Sequence, residues 1–570
     1  MKRNQREEGW LPRATTANVI GVLLFFCFVG PAIFHPPFPL PRLHAVDSKG
    51  QDTDASSRSW TGGFVQVAKN SHAYLRPLFP GASGASFNAN VSSQYSDYIQ
   101  EHAQSLKDTK SFMHEWIEKD MLPWKQDGIT LEMLEEAENM YDICDGDMFR
   151  FQIISGKLYV YHVTARGFGW YPAQLGPGHV AAKGRVPYAM LLLLDVLRLF
   201  PGQIPDLDAV MQLGDFTCIA QEPGAGRTPV PMFSYTTSEG YADLVLPDFT
   251  YYGHEYDYLM DPWGNPAHGW PAQASVLLTK YANVSLASRL PQAMWRGRTM
   301  DSNYPHRDAL RRAFLDCVRA LRASGREDDA ALLNVDREPI VMQDFDDYRY
   351  QVHIEPLAWV SNIRHKLAGG SVVMATGIKY YEWFARALVP GTHYVEIPAR
   401  VPEMCAQAVD VVRDMNALLA REGGAGKAEA ATEFELTPTL RKAKEVWATM
   451  PRLKELAKSA GDAEARSVEL QRGGTYRWGS NLTPTQIAAA GQAFVRDKVR
   501  MQDLLLYTRD MLQAYAAAQR FTPAPRRKAR CVDGAAMLEE FGTPYAQDAE
   551  EVAYAYPWLK DFDGGCPDDV

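Results

Sequence analysis

Two successive blocks of short apolar strands alternating with helical segments constrain this chain more than any other feature. The first block carries strand-like runs at Met148–Ile154, Lys157–Val163, Ala209–Leu213 and Pro231–Tyr235, with a buried helix at Pro187–Leu199. The second opens at Gln292–Trp295 and continues into helix His306–Ser324, whose Leu310, Phe314, Leu315, Val318 and Leu321 make one apolar stripe. Strand Tyr350–Ile354, helix Ala358–Leu367, strand Ser371–Ala375, helix Tyr380–Leu388 and strand Thr392–Ile397 complete it. This alternation predicts an α/β chain with two doubly wound, Rossmann-like lobes, at 95–290 and 291–422. Ligands of such lobes bind beyond the carboxyl ends of the strands, so two facing lobes leave a cleft for two substrates.

The flanking segments differ in texture. Lys2, Arg3, Arg6 and Arg13 precede an apolar run from Ala17 to Phe34, near the lower limit of the ~17–25 residues that span a bilayer. Residues 1–36 therefore read as a cytosolic tail and an uncleaved signal-anchor helix, with the bulk of the chain luminal. That is a single-pass type II protein of the Golgi or endoplasmic reticulum membrane. A cleaved signal peptide is the alternative, though no clean small-x-small site is evident and Pro31 interrupts the place for one. The proline-rich and then Ser/Gly/Asp-rich stretch 37–94 reads as a disordered stem. Gly423-Gly424-Ala425-Gly426 opens a charged helical insertion at 423–482. A long amphipathic helix is expected over Thr483–Tyr515, announced by Thr483-Pro484-Thr485-Gln486, within a C-terminal segment 483–570 whose tail suggests no role. The net charge of −10 argues against a general nucleic-acid binder. Cys144, Cys218, Cys317, Cys405, Cys531 and Cys566 form an even set that permits three disulfides in about 15 pairings. Sequons stand at Asn90, Asn283 and Asn481.

Several residues carry chemistry. Arg296-Gly297-Arg298-Thr299 follows the apolar strand ending at Trp295, and Arg307 comes a helical distance later. Guanidinium forks match phosphate oxygens and glycine lets the backbone approach, so the turn is a candidate diphosphate site, with a basic loop of surface salt bridges as the structural alternative. Asp215 follows the strand ending at Leu213, at a carboxyl end where a general base toward a hydroxyl would stand. A turn or cap Asp is the structural alternative. In the junction from Glu355 to Lys366, Ser361, Arg364 and Lys366 suit an anion, and Trp359 either stacks on a base or fills core. His365 reads as structural. Glu382 either bonds a ribose hydroxyl or caps a helix. Asp145-Gly146-Asp147 and Asp344-Asp346-Asp347 read as structural turns, the latter solvated, so no metal is assigned. The P-loop, hydrolase-elbow and zincin motifs are missing.

Taken in order, these landmarks resemble the CAP-type glycosyltransferases, glycosyltransferase family 90, which includes Rumi-type protein O-glucosyltransferases and capsule xylosyltransferases. Pro231-Met232-Phe233-Ser234-Tyr235 resembles that family's Pro-Val-Phe-Ser-Phe strand. Trp295-Arg296-Gly297-Arg298-Thr299 resembles its Phe-Arg-Gly-Ser-Arg-Thr turn, with Arg307-Asp308 as the following pair. Glu355 through Ser371, Glu382-Trp383-Phe384 and Gly491-Gln492-Ala493-Phe494 match later segments. The resemblance covers about Cys144 to Gln519. The turn at Gly297 is one residue shorter than in the animal pattern, Pro356 replaces Gly and Val360 replaces Ser of the plant pattern, and Gly214 precedes the candidate base.

The resemblance implies a GT-B-like fold and inverting, metal-independent transfer of glucose or xylose from a UDP-sugar, a co-substrate rather than a cofactor, to a hydroxyl of a protein or glycan. It implies Asp215 as base. It assigns donor binding to the turn Arg296, Gly297, Arg298 and Thr299 and to the junction of Trp359, Ser361 and Arg364; Arg307 and Glu382 are further donor-side candidates, and Phe216, Ser234 and Tyr235 are candidates for the acceptor side. The expected partners are the UDP-sugar, the acceptor and, through the N-terminal helix, a membrane. The competing class is a catalytically inactive, membrane-anchored glycan-binding or scaffold protein of the same fold. A glycoside hydrolase would need a second carboxylate about 5–10 Å from the first, and the sequence singles none out.

Overall fold

The computed structural model describes residues 45–46, 52–53, 105–140, 144, 148–163, 185–221, 228–253, 269–297, 299, 309–337, 340, 342–355, 359–400, 403–422, 478–526, 529–542 and 546–567. Strands β1 (Ala45–Val46) and β2 (Asp52–Thr53) form an antiparallel pair within a small unit, Met1–Val67. Ala68–Val570 is one compact unit and holds everything below.

Its first half begins with α1 (His114–Asp120) and α2 (Leu131–Glu138), followed by strands β3 (Met148–Ile154) and β4 (Lys157–Val163). Ser155 and Gly156, with φ of 51° and 78°, make the two-residue turn between these strands, the geometry that matches strand twist in a hairpin. Helix α3 (Val186–Leu199) is almost wholly buried. Strands β5 (Leu207–Gln212), β6 (Met232–Ser234), β7 (Thr237–Ser238) and β8 (Leu244–Val245) follow, then α4 (Trp270–Lys280).

The second half runs β9 (Leu290–Arg296), α5 (Ala309–Ala323), α6 (Glu327–Ala331), β10 (Leu333–Asp336), β11 (Tyr348–His353), α7 (Ile363–Ala368), β12 (Val372–Ala375), β13 (Tyr380–Tyr381), β14 (Val395–Glu396) and α8 (Glu403–Glu422). The C-terminal segment contains α9 (Pro484–Lys498), α10 (Met501–Ala518), β15 (Arg530–Val532), α11 (Gly534–Gly542) and α12 (Ala546–Ala555).

The first sheet has the order β15-β4-β3-β5-β6-β8. Only β5, β6 and β8 are mutually parallel; β15, β4, β3 and β5 pair antiparallel. This corrects the expectation of a GT-B-like pair of doubly wound lobes, and the fold is mixed α/β. The reason is local: two residues connect β3 to β4, whereas a parallel neighbour needs a crossover of a dozen or more.

The second sheet is all parallel, in the order β10-β9-β11-β12-β14. Counted along the chain this is 2-1-3-4-5, whose strand order reverses between β9 and β11. Its two faces feed different cores. Met294, Val373 and Ala375 join the core shared with the first half, while Ala293, Trp295, Val372 and Met374 join a second core under α5 and α8. This is strand alternation at work.

Helix α9 packs on α7 and β12, and α10 on β5 and α3, so the C-terminal helices carry the chain from the second half back to the first. A separate antiparallel pair joins β7 to β13. The tail completes the first sheet through β15 and covers α3 with α11. The six cysteines pair as Cys144–Cys218, Cys317–Cys405 and Cys531–Cys566.

The membrane expectation is corrected. No helix among the described residues is long and apolar enough to cross a membrane. The longest, α8, carries Asp410, Arg413, Asp414, Arg421 and Glu422 along its length, and charge at mid-bilayer is expensive. The signal-anchor run Ala17–Phe34 lies outside the described residues, as does 423–477 of the helical insertion. The described residues thus supply no span for a type II Golgi or endoplasmic reticulum arrangement or for a membrane partner.

Candidate functional site

Asp215 lies just past the carboxyl end of β5, 39% exposed, with its Oδ1 2.7 Å from Nη1 of Arg185. Arg185 is the N-cap residue of α3. The same Nη1 donates to the Leu213 carbonyl at 2.5 Å, and the guanidinium lies 4.5 Å over the Phe249 ring. One arginine thereby holds both the strand end and the carboxylate.

The loop beyond Asp215 is fixed from below. Asp243 accepts from the Cys218 amide at 2.8 Å and the Ile219 amide at 2.9 Å, and burial pushes its carboxyl up to about 7 despite those donors. The Cys144–Cys218 bond anchors the same loop. Gln212 Nε2 donates to the Phe216 carbonyl at 2.7 Å. Ser234 is fully buried and donates to the Thr236 carbonyl at 2.5 Å. Tyr235 is 1% exposed and packs on Phe249 and Trp359, with centroids 5.3 and 6.1 Å apart. Trp359 in turn meets Phe249 edge-on at 6.3 Å. The structure therefore brings Asp215, Tyr235 and Trp359 together around Arg185 and Phe249, with Trp359 and Tyr235 mostly in core.

At the switch point of the second sheet, Arg296 ends β9. Its Nη1 donates to the Asn334 carbonyl at 2.8 Å and its Nη2 to Asn334 Oδ1 at 2.7 Å. Gly297 follows tightly, since a Cβ there would sit 2.7 Å from the Trp295 ring. Thr299 is half-buried; Arg298 and Arg307 lie outside the described residues. Across the switch point, Glu355 follows β11 and accepts from the amides of Lys379 and Tyr380 at 3.0 and 3.2 Å. Burial pushes its carboxyl up to about 7. Ser361 is half-buried in the turn before α7.

Arg364 and Glu382 meet elsewhere, inside a sealed network. Arg364 is fully buried, donates to Asp248 Oδ2 at 3.3 Å and to Thr250 Oγ1 at 2.5 Å, and stacks 3.8 Å over Tyr251. Glu382 is 3% exposed, accepts from Tyr251 at 3.3 Å and lies 3.9 Å from Arg364. Burial raises its carboxyl well above the usual range against the pull of Arg364. His365 is buried against Gln273 at 2.7 Å, and burial lowers its imidazole well below the usual range. Among the described residues no three His, Cys, Asp or Glu side chains gather as a metal-holding set; Asp145-Gly146-Asp147 lies outside them.

Sequence reasoning missed Arg185, Asp243 and Phe249. Pro187 at the start of α3 marked the helix N-terminus, which located Arg185 but gave no hint of its partner across the loop. A family model described as Glycosyl transferase family 90 matches residues 106–427, more than half of the chain. The chain belongs to glycosyl transferase family 90. The family 90 match contains Asp215 and both sides of the switch point and stops short of α9 and α10. Among curated relatives, the chain is 26% identical over 209 residues to Protein O-glucosyltransferase 2 of Danio rerio, covering 34% of this chain and 37% of that one. It is 25% identical over 291 residues to the O-glucosyltransferase rumi homolog of Anopheles gambiae, covering 50% and 64%. It is 24% identical over 214 residues to Protein O-glucosyltransferase 3 of Homo sapiens, covering 35% and 38%. The chain thus spans less than two thirds of the length of each of these relatives.

Proposed function

We propose that this family 90 chain is an inverting glycosyltransferase that moves a sugar from a UDP-sugar to a hydroxyl. The relatives' names favour glucose as the sugar and a protein as the acceptor over xylose and a glycan. The observation that carries the reading is the reachable carboxylate of Asp215 at a strand's carboxyl end, held by Arg185 at 2.7 Å. Asp215 takes the acceptor proton as that oxygen attacks C1 of the donor, and the leaving diphosphate is received at the switch point by Arg296, the Gly297 turn and Thr299, to which the sequence adds Arg298 and Arg307 outside the described residues. Trp359 and Ser361 line that junction, Phe216, Ser234 and Tyr235 shape the acceptor side, and Arg364 and Glu382 act from beneath, through Asp248 and Tyr251.

Asp215→Asn keeps the shape and removes the base. It is expected to bind UDP within about threefold of wild type and to lose transfer by about 10²–10⁴-fold, read by calorimetry and by UDP release from UDP-glucose and UDP-xylose. Undiminished turnover in this variant removes Asp215 from the reaction. One observation favours a second reading, a binding protein without turnover: the ion pair with Arg185 already occupies one oxygen of Asp215. Wild-type protein that binds UDP and releases none from any UDP-sugar, with or without acceptor, would decide for it.

A further inference from the structure

At the switch point, several buried polar atoms are left unused by the fold. His353, the last residue of β11, is 1% exposed, and Lys366 of α7 is 5% exposed. Lys366 Nζ donates to the Val352 carbonyl at 3.0 Å, and an ammonium has three donors. The side chains of Asn362 and His353 lie within hydrogen-bonding reach of each other, yet neither His353 Nδ1 nor Asn362 Oδ1, both buried, completes a well-formed hydrogen bond. Arg311 of α5 reaches over the same strand end, donating from Nε and Nη2 to the Ile354 carbonyl at 3.2 and 3.0 Å, and its charge acts on both His353 and Lys366.

Among the described residues Lys366 has no carboxylate partner. A buried cation with no counter-charge is costly, and buried polar atoms left unpaired call for an explanation. Both are met by an anion entering beside the carboxyl ends of β9 and β11, where a ligand of this sheet order binds.

We propose that Lys366 and His353, oriented by Asn362, bind the diphosphate of a nucleoside diphosphate at the switch point. This deepens the donor-site reading above and rests on it. Lys366 and His353 supply donors to the phosphate oxygens, and Asn362 is a positioning residue for the imidazole. The groups facing Lys366 explain how it responds to the ligand. Burial, with Arg311 adding to it, pushes the amine down to about 7; His353 and His365 are neutral, held well below the usual imidazole range by burial. A diphosphate restores the charge on Lys366, so binding takes up a proton.

The test is calorimetry of the full chain at about pH 8 in two buffers of different ionisation enthalpy, with UDP and with uridine. UDP is already fully ionised there. Wild type is expected to take up a substantial fraction of a proton with UDP and none with uridine. Lys366→Met is expected to lose that uptake and to bind UDP about tenfold or more weakly, with uridine affinity unchanged. Glu355, also pushed up to about 7 and facing Arg311 and Lys379, is the other group able to take up a proton, and Glu355→Gln is expected to leave the uptake in place. Equal UDP affinity and equal uptake in Lys366→Met overturn the proposal. If that variant fails to fold, uptake that vanishes in Glu355→Gln overturns it instead. A wild-type chain that binds no UDP at all sinks the donor-site reading and this inference with it.

Discussion

Asp346 shows how far a single residue can depart from its surroundings in sequence. Its sequence setting, beside Asp344 and Asp347, predicts a solvated turn, yet Asp346 and Asp347 are 0% and 3% exposed. Asp346 accepts from Ser371 Oγ at 2.9 Å and from Gln351, and burial pushes its carboxyl up to about 7 although Arg289 opposes the rise. The folded pKa is therefore above the unfolded one, so the stability it contributes is full below about 4 and is lost as pH rises through about 7. Asp346→Asn has no such loss. Its stability relative to wild type is expected to improve by on the order of 1 kcal/mol or more between about pH 5 and pH 8, measured by urea denaturation at both; an unchanged difference counts against the assignment. The sequence flagged Asp215, Arg364 and Glu382 as residues able to do chemistry, because residue type and position at a strand end are local information. It did not reveal that Arg364 and Glu382 face each other in a sealed network, or that Arg185 holds Asp215, because those partners lie on distant segments.

Among the elements, the loop after β5 is the one on which the proposed chemistry depends. It is tied to the fold by Asp243 and by Cys144–Cys218, which closes a separation of 74 residues. Replacing both cysteines with serine is expected to cost about 2–5 kcal/mol of stability. It should also lower kcat more than it weakens UDP binding, because the freed loop carries the proposed base Asp215 and the proposed donor side lies on the other sheet. Denaturation and steady-state rates check both, and a variant with an unchanged rate would show that the loop needs no tether. Most strands and helices were legible from apolar runs, including α3, α5 and the β3–β4 pair. The two-residue connection between β3 and β4 implied antiparallel pairing, but the doubly wound expectation passed over it. Other boundaries were decided by partners. Tyr380–Leu388 was expected as a helix, but Tyr380 and Tyr381 pair with Ser238 and Thr237 as strand. The single helix expected over Thr483–Tyr515 keeps its capping box at Thr483 and Gln486, then breaks at Arg500. There the extended backbone amide donates to Asp503 at 3.2 Å and starts α10. Neither Gly nor Pro marks that break. Strand β10, which sets the 2-1-3-4-5 order, is four residues long and only its first residue is buried, so no apolar run announced it.

For the whole molecule, the two alternating blocks announced two sheets but not how completely they share an interior. The first core draws residues from both halves and from α9 and α10, including Phe494, Leu504, Leu505, Met511 and Tyr515. A chain ending at residue 427, where the family match ends, would leave these positions unfilled. It is expected to show no cooperative urea transition, and a sharp transition like that of the full chain would contradict the shared core. The tail, to which the sequence suggested no role, is where β15 closes the edge of the first sheet, a long-range pairing with no local signal. Of the three disulfides, Cys144–Cys218 lies in the first half, Cys317–Cys405 joins α5 to α8 in the second, and Cys531–Cys566 secures the tail along the first sheet. No covalent staple crosses the seam. A reductant would therefore soften each half from within, while any sliding of one half past the other would still be resisted by the β7–β13 clasp, the returning helices and the buried Arg364–Asp248 and Glu382–Tyr251 contacts.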